Sequence, residues 1–278
     1  MVLLGTTYDG GSAELLKGLI GLVDVIEVAP DGIAAVGESG ATRLRPEVLE
    51  EFGPLAGTMH FAAHGVGLSI GSYDHWNETY LGLLDELMSS VNLMWHSEHL
   101  ACTTVDGQNL GTMLAMPRTE EALELVSGRV DQLQWRYGKE FLLEHVIRLL
   151  PEPEADYADA DFLNELVRRT GCGLILDAYN LECDEVNHGF DINGFLEGLD
   201  MSAVREIHLA GGVKQNGFQL DIHSRLTEES TVGLARRIMA RSPNLGLVTY
   251  EFLTEAIPLL GTDAILGELR RLRGVLLA

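Results

Sequence analysis

Basic residues are scarce in this chain. Its 278 residues include 19 Lys+Arg against 42 Asp+Glu, a formal charge of −23. Binding a duplex nucleic acid requires basic groups that release the polyanion's counterions, and no Lys/Arg cluster stands out. The same sign disfavours anionic membrane surfaces, whereas a cationic peptide or protein, or a bound metal, fits it. Cysteine is also sparse. Cys102, Cys172 and Cys183 form an odd set without a C-x-x-C pair, which points to reduced thiols in a cytoplasmic protein rather than a disulfide framework. No apolar run reaches the ~20 residues needed to cross a bilayer. The opening MVLLGTTYDGG lacks a basic region and a long apolar stretch, so it does not read as a signal peptide. No G-x-G-x-x-G opens a helix after a strand, which weakens a dinucleotide-binding reading.

What is present is a chain able to bury a core. Hydrophobic residues make up 46%, and the acids are dispersed rather than gathered into a disordered tail. Short apolar, β-prone runs lie near 2–5, 25–28, 58–63, 93–96, 140–144, 173–177, 206–210 and 247–251. Several are continuous, as strands buried on both faces should be. Helical periodicity lies between them. Leu81, Leu84 and Met88 share a face, as do Leu123, Val126, Val130 and Leu133, and Ile265, Leu269 and Leu272. The pattern repeats over 162–169, and Gly171 fits a helix C-cap. About eight strand–helix pairs without a break in composition predict an α/β fold, a (β/α)8 TIM barrel spanning 1–278 as a single domain. Barrels of this kind typically take roughly 250 residues. A doubly wound open sheet is the runner-up. The segments 65–74 and 211–225 are long for plain loops, as expected where loops build a barrel's active face.

The polar residues fall where such a barrel would gather them. His64 ends the third strand, and Glu98 and His99 are expected just beyond the fourth. Glu144 and His145 end the fifth, and Asp177 ends the sixth, with Asn180 and His188 after it. His208 lies in the seventh, followed by Asp221 and His223, and Glu251 ends the eighth. C-terminal strand ends converge on one mouth. Buried carboxylates repel one another unless something positive sits among them, and imidazole with carboxylate suits Fe, Mn, Zn or Co. So many ligands exceed one tetrahedral site, so more than one ion is expected. His60, His75 and His96 read as structural: the first and last sit inside strands, and the second opens a helix.

These residues also carry a family resemblance. The chain is similar to the multinuclear non-haem iron-dependent oxidases, long known as a domain of unknown function, which include the enzyme that builds oxazolone–thioamide groups in methanobactin precursors. The resemblance runs from about Glu27 to Pro258. Its motifs are H-G-V-G-L-S-I-G-S at His64–Ser72, S-E-H-L at Ser97–Leu100 and L-E-H at Leu143–His145. They continue with T-G-C-G-L-I-L-D-A-Y-N at Thr170–Asn180, N-H-G at Asn187–Gly189 and E-I-H-L-A-G at Glu206–Gly211, then Asp221-x-His223 and Glu251.

The resemblance implies a TIM barrel holding two or three irons, in mixed Fe(II)/Fe(III) states, with dioxygen as co-substrate. It implies the metal ligands His64, His99, Glu144, Asp177, His188, His208, Asp221, His223 and Glu251. Asn180 would be a further ligand or a partner of one. The implied substrate is a cysteine-containing ribosomal peptide or a small thiol or amino-acid-type metabolite. A separate leader-binding partner protein would serve the peptide case, and neither nucleic acid nor membrane is implied. Two positions depart from the family pattern. His145 stands where Asn is usual, and Leu253 where many members have an acid. Imidazole is bulkier and a better ligand, so His145, with Asn180, is a candidate catalytic residue. The competing reading is a divalent-metal isomerase or hydrolase of the xylose-isomerase-like type. A sugar isomerase would want a lysine near the metals, for which Lys139 and Lys214 are available. A third reading is a binding module that has lost turnover, against which the near-complete ligand set speaks.

Overall fold

A computed structural model describes residues 1–37, 40–150 and 155–277. Eight parallel strands close into a barrel. They are β1 (Leu3–Thr7), β2 (Val25–Val28), β3 (His60–Gly65), β4 (Leu93–His99), β5 (Phe141–Glu144), β6 (Gly173–Asp177), β7 (Val204–Leu209) and β8 (Leu247–Tyr250). Each pairs with its neighbours in chain order, and β8 closes on β1, so the sheet has no free edge and the open-sheet alternative falls away.

Helices follow the strands and bury one stripe each. Glu120–Tyr137, for example, buries Leu123, Val126, Val130 and Leu133. Their ends obey local chemistry. Ser12, Asn77, Thr119, Asp177 and Asp191 cap N-termini by accepting a backbone N–H. Gly171 takes the left-handed conformation that ends Asp159–Thr170, at φ 70°. No described helix is long and apolar enough to cross a membrane.

Strand alternation builds the barrel interior in layers. Val25, Ala62, Trp95, Leu142, Ile175 and Leu247 pack together as an apolar floor. Two residues further along, Glu27, His64, Ser97, Glu144, Asp177 and Thr249 occupy the same face of their strands, because side chains in a strand repeat with period two. Cavity-forming truncations in such a floor cost roughly 2–5 kcal/mol, so it is a rigid base for whatever stands on it.

Three antiparallel hairpins interrupt the βα loops: Ala34–Val36 with Thr42–Leu44, Ala101–Val105 with Gln108–Ala115, and Val213–Gln215 with Phe218–Leu220. None is anticipated by the apolar periodicity. Two carry a turn signal all the same. Asp106-Gly107 and Asn216-Gly217 have positive φ at both residues, as a two-residue hairpin turn of type I′ demands. The strand β4 also runs three residues further than its apolar run suggests, so Glu98 and His99 are its last residues rather than the start of a loop. His60 opens β3 and is exposed. His75 lies in the loop ahead of Asn77, the cap of Glu78–Ser90, rather than opening that helix. His96 is buried, its Nε2 3.1 Å from the Tyr80 hydroxyl.

Candidate metal centre

The C-terminal mouth of the barrel gathers imidazoles and carboxylates from six strands and the loops beyond them. Register places His99 of β4 beside Glu144 of β5, and Asp177 of β6 beside His208 of β7. Four close sets result: His64, His99 and Glu144; Glu144, Asp177 and His208; Asp177, His223 and Glu251; and Glu27, His64 and His208. Within each set, one potential ligand atom per residue lies within 4.8 Å of the others.

The innermost set is the most constrained. His64 Nε2 lies 2.8 Å from Glu144 Oε2 and 3.3 Å from His99 Nε2. Tautomers follow from the far side of each ring. The Ser97 hydroxyl donates to the Ala63 carbonyl, so its oxygen accepts from His64 Nδ1–H at 2.9 Å. His99 Nδ1–H donates to the Gly65 carbonyl at 2.8 Å. Both rings therefore turn bare Nε2 lone pairs toward each other and toward a carboxylate oxygen. Three acceptors at such range repel unless a cation stands between them.

Hydrogen-bond accounting agrees. Among the described residues, Glu144 Oε2, Asp177 Oδ2, Asn180 Oδ1, Asp221 Oδ1, Glu251 Oε2, His223 Nε2 and both nitrogens of His208 are buried without a well-aligned hydrogen bond, even where they lie close to one another. Native interiors leave few such atoms, so their concentration at one place needs a cause. Oxygen and imidazole donors without thiolate fit iron, manganese, zinc or cobalt. The residues present fit a multinuclear centre, with the carboxylates Glu144 and Asp177 each shared by two of the sets.

Electrostatics record the same crowding. Burial pushes Asp177 up to about 7. Burial, reinforced by Glu206, pushes Glu27 up to about 8. Burial drives His64 down to about 4. Burial likewise opposes charge on His208, but Glu27, Glu251 and Glu144 outweigh it and hold that ring well above the usual imidazole range. His208 Nδ1 lies 3.1 Å from Glu251 Oε2 and 3.5 Å from Glu144 Oε2. At the outer edge, His223 Nε2 lies 2.5 Å from Asp221 Oδ1, and its backbone adopts φ 41°, a left-handed conformation that is uncommon for a non-glycine residue. Asn180 Nδ2–H donates to Glu144 Oε1 at 3.3 Å, and its backbone N–H donates to Asp177 Oδ1 at 2.8 Å. It thus orients two carboxylates of the centre.

Two sequence candidates stand apart. His145 does not join the group. Glu144 points into the barrel, so the next side chain points out, where His145 packs against Phe190 and Phe195. There it lines a small cavity with Arg118, Arg148 and Asp159, and burial together with Arg148 drives it down to about 3. His188 also lies away. It is the last residue of Ala178–His188, roughly 16 Å of helix beyond the strand end, and its Nε2 contacts the Arg148 carbonyl at 2.6 Å. His145→Asn should therefore leave metal content unchanged. A metal-to-protein ratio that falls in this variant would place His145 back at the centre.

Two acids belong here that motif reading passed over, Glu27 and Glu206. The signal was available as a carboxylate inside an apolar strand, V-I-E-V at Val25–Val28, in the same alternation as His64. Glu98, though buried, faces the Tyr80 side and lies outside the four sets.

Comparison with known proteins accords with this geometry. A UPF0276 protein of Anaeromyxobacter sp. (strain Fw109-5) is 38% identical over 160 residues, 58% of this chain and 56% of that protein. The matched stretch thus spans little more than half of that relative. A UPF0276 protein of Psychromonas ingrahamii is 30% identical over 203 residues, covering 72% of this chain and 71% of its own. Among solved structures, a xylose isomerase domain containing protein from Salmonella typhimurium superposes with a TM-score of 0.66 over 100% of both chains, at 15% identity, a likeness of fold alone. Residues 13–259 match the family model described as RiPP precursor modification enzyme MbnB/TglH/ChrH, and the chain belongs to that family.

Proposed function

We propose that this protein is a multinuclear non-haem iron oxidase that uses dioxygen to oxidise a thiol substrate, either the cysteine of a ribosomal peptide or a small thiol metabolite. The observation that carries this reading is the facing pair of bare Nε2 atoms on His64 and His99 with Glu144 Oε2 beside them. Glu144, Asp177 and His208 would hold a second ion, and Asp177, His223 and Glu251 a third. Bound iron would supply a redox couple and a soft site that favours the thiolate form of a cysteine.

The chain's own residues set the direction of approach. Exposure rises from nil at His208 to 11–13% at His223, Asp221 and Glu251, so a substrate thiol enters at the outer set. Asn180 fixes Glu144 so that Oε2 faces the histidines. The apolar floor of Val25, Ala62, Trp95, Leu142, Ile175 and Leu247 lies beneath the centre. We propose further that a separate protein presents the leader of a peptide substrate.

Of the two lysines available to the isomerase alternative, Lys139 lies away from the mouth. Lys139 Nζ donates to the carbonyl of Leu93, the first residue of β4, at the barrel's opposite end. Lys214 is exposed in a hairpin.

In the direct test, anaerobically iron-loaded protein is exposed to oxygen with a cysteine-containing peptide, and the product mass is read. A mass change at cysteine that requires both iron and oxygen is expected. Full turnover without either would sink the proposal.

A further inference from the structure

We infer that Glu206 is a positioning residue that holds the Nε2 proton of His208 and thereby turns Nδ1 toward the metal centre. The inference rests on the reading that His208 is a metal ligand. It adds which nitrogen binds and what enforces it.

His208 is fully buried, and its two nitrogens face different groups. Nδ1 faces upward, 3.1 Å from Glu251 Oε2 and 3.5 Å from Glu144 Oε2. Nε2 faces down, 3.4 Å from Glu27 Oε1 and 3.5 Å from Glu206 Oε1. What distinguishes Glu206 is that its carboxylate is locked from below. Trp95 Nε1–H donates to Oε2 at 3.0 Å, and the Thr249 hydroxyl donates to Oε1 at 2.5 Å. Two donors from β4 and β8 thus fix an acceptor-only group behind the imidazole, and an acceptor at that place favours a proton on Nε2, although ring and carboxylate are not aligned into a formed hydrogen bond. The neutral ring then has its lone pair on Nδ1, the side where Glu144, Asp177 and Glu251 gather. A carboxylate behind a ligating imidazole both selects the tautomer and raises its basicity.

Glu27, His64 and His208 are close enough to be read instead as a deeper ion site. His64 argues against it. Its Nδ1 is committed to Ser97, and its one bare nitrogen, Nε2, lies 2.8 Å from Glu144. Glu206 is thus the carboxylate beneath His208 whose position is enforced.

The test uses full-length protein labelled with 15N-histidine and loaded with Zn(II), a diamagnetic probe. Long-range proton–nitrogen spectra should show His208 with a proton on Nε2 and zinc on Nδ1, the signal being assigned by its loss in His208→Asn. Glu206→Gln should weaken zinc affinity by about 10–100-fold in competition with a chelator. Thr249→Val, which frees one oxygen of Glu206, should give a smaller loss. Zinc on Nε2 of His208, or affinity within twofold in Glu206→Gln, would overturn the inference while leaving the metal centre intact. A merely structural role would lower stability and leave the tautomer unchanged. Wild-type protein that binds no zinc or iron would instead bring down the metal reading itself, and this inference with it.

Discussion

Metal-free protein is expected to lose stability between pH 6.5 and pH 8, and metal is expected to abolish that loss. In the folded, metal-free state Glu27 keeps its proton to about 8 and Asp177 to about 7, both through burial. His208 and His223 hold theirs well above the usual imidazole range, because the surrounding carboxylates outweigh burial. The unfolded chain releases carboxyl protons near pH 4 and imidazole protons near 6.5. From pH 6.5 upward the folded state therefore holds more protons than the unfolded one, and stability falls as pH rises. A proton retained throughout that window costs about 2 kcal/mol. Below pH 6.5 the balance is opposed by the neutral buried histidines. His64 is driven down to about 4 by burial, and His96 to about 3, so their contribution is present above 6.5 and lost as pH falls. Bound metal replaces the protons at the mouth, and at one hundred times its dissociation constant it adds about 2.7 kcal/mol. Urea unfolding at pH 6.5 and 8, with chelator and with metal, measures all four states. Equal stability at both pH values with chelator would show that the mouth does not hold protons in the way its geometry requires.

Glu144→Gln should cost metal at two sites at once. Glu144 stands in two of the four close sets, within 2.8 Å of His64 Nε2 and 3.5 Å of His208 Nδ1. The amide keeps the volume but removes the charge and one oxygen acceptor. Because a ligand is lost, the effect should exceed the roughly 10–100-fold in affinity that hydrogen-bonding partners of ligands command, and at least two ions should go together. The same substitution removes one of several crowded carboxylates. The metal-free variant should therefore unfold no more readily at pH 8 than the metal-free wild type, which separates a ligand from a structural residue. Metal analysis beside chelator-treated unfolding reads both effects. A variant with normal metal content would exclude Glu144 as a ligand.

The barrel was legible because buried parallel strands leave short apolar runs, and because helices between them repeat at three and four residues. Most of the mouth was legible because polar residues ending such runs share one face. What escaped has physical reasons. Glu27 lies inside a strand rather than at its end, so it reads as a break in an apolar run. Glu206 is visible only once Trp95 and Thr249, distant in sequence, donate to it. The hairpin at Ala101–Ala115 is too polar and exposed for apolar periodicity, although Asp106-Gly107 marks its turn. His145 shows the opposite failure. Adjacency to Glu144 in the chain suggested adjacency in the site, whereas alternation along β5 sends it to the other face. His188 followed a motif whose glycine, Gly189, ends a helix at φ 70° and whose histidine reaches the Arg148 carbonyl.

What the mouth holds decides what the protein can do. Protein prepared without oxygen, analysed for metals and examined by Mössbauer and EPR spectroscopy, addresses this most directly. Two or three irons per chain are expected, with magnetic coupling between them that disappears in Glu144→Gln. A single isolated ion, or a redox-inactive metal that supports full turnover, would contradict the account.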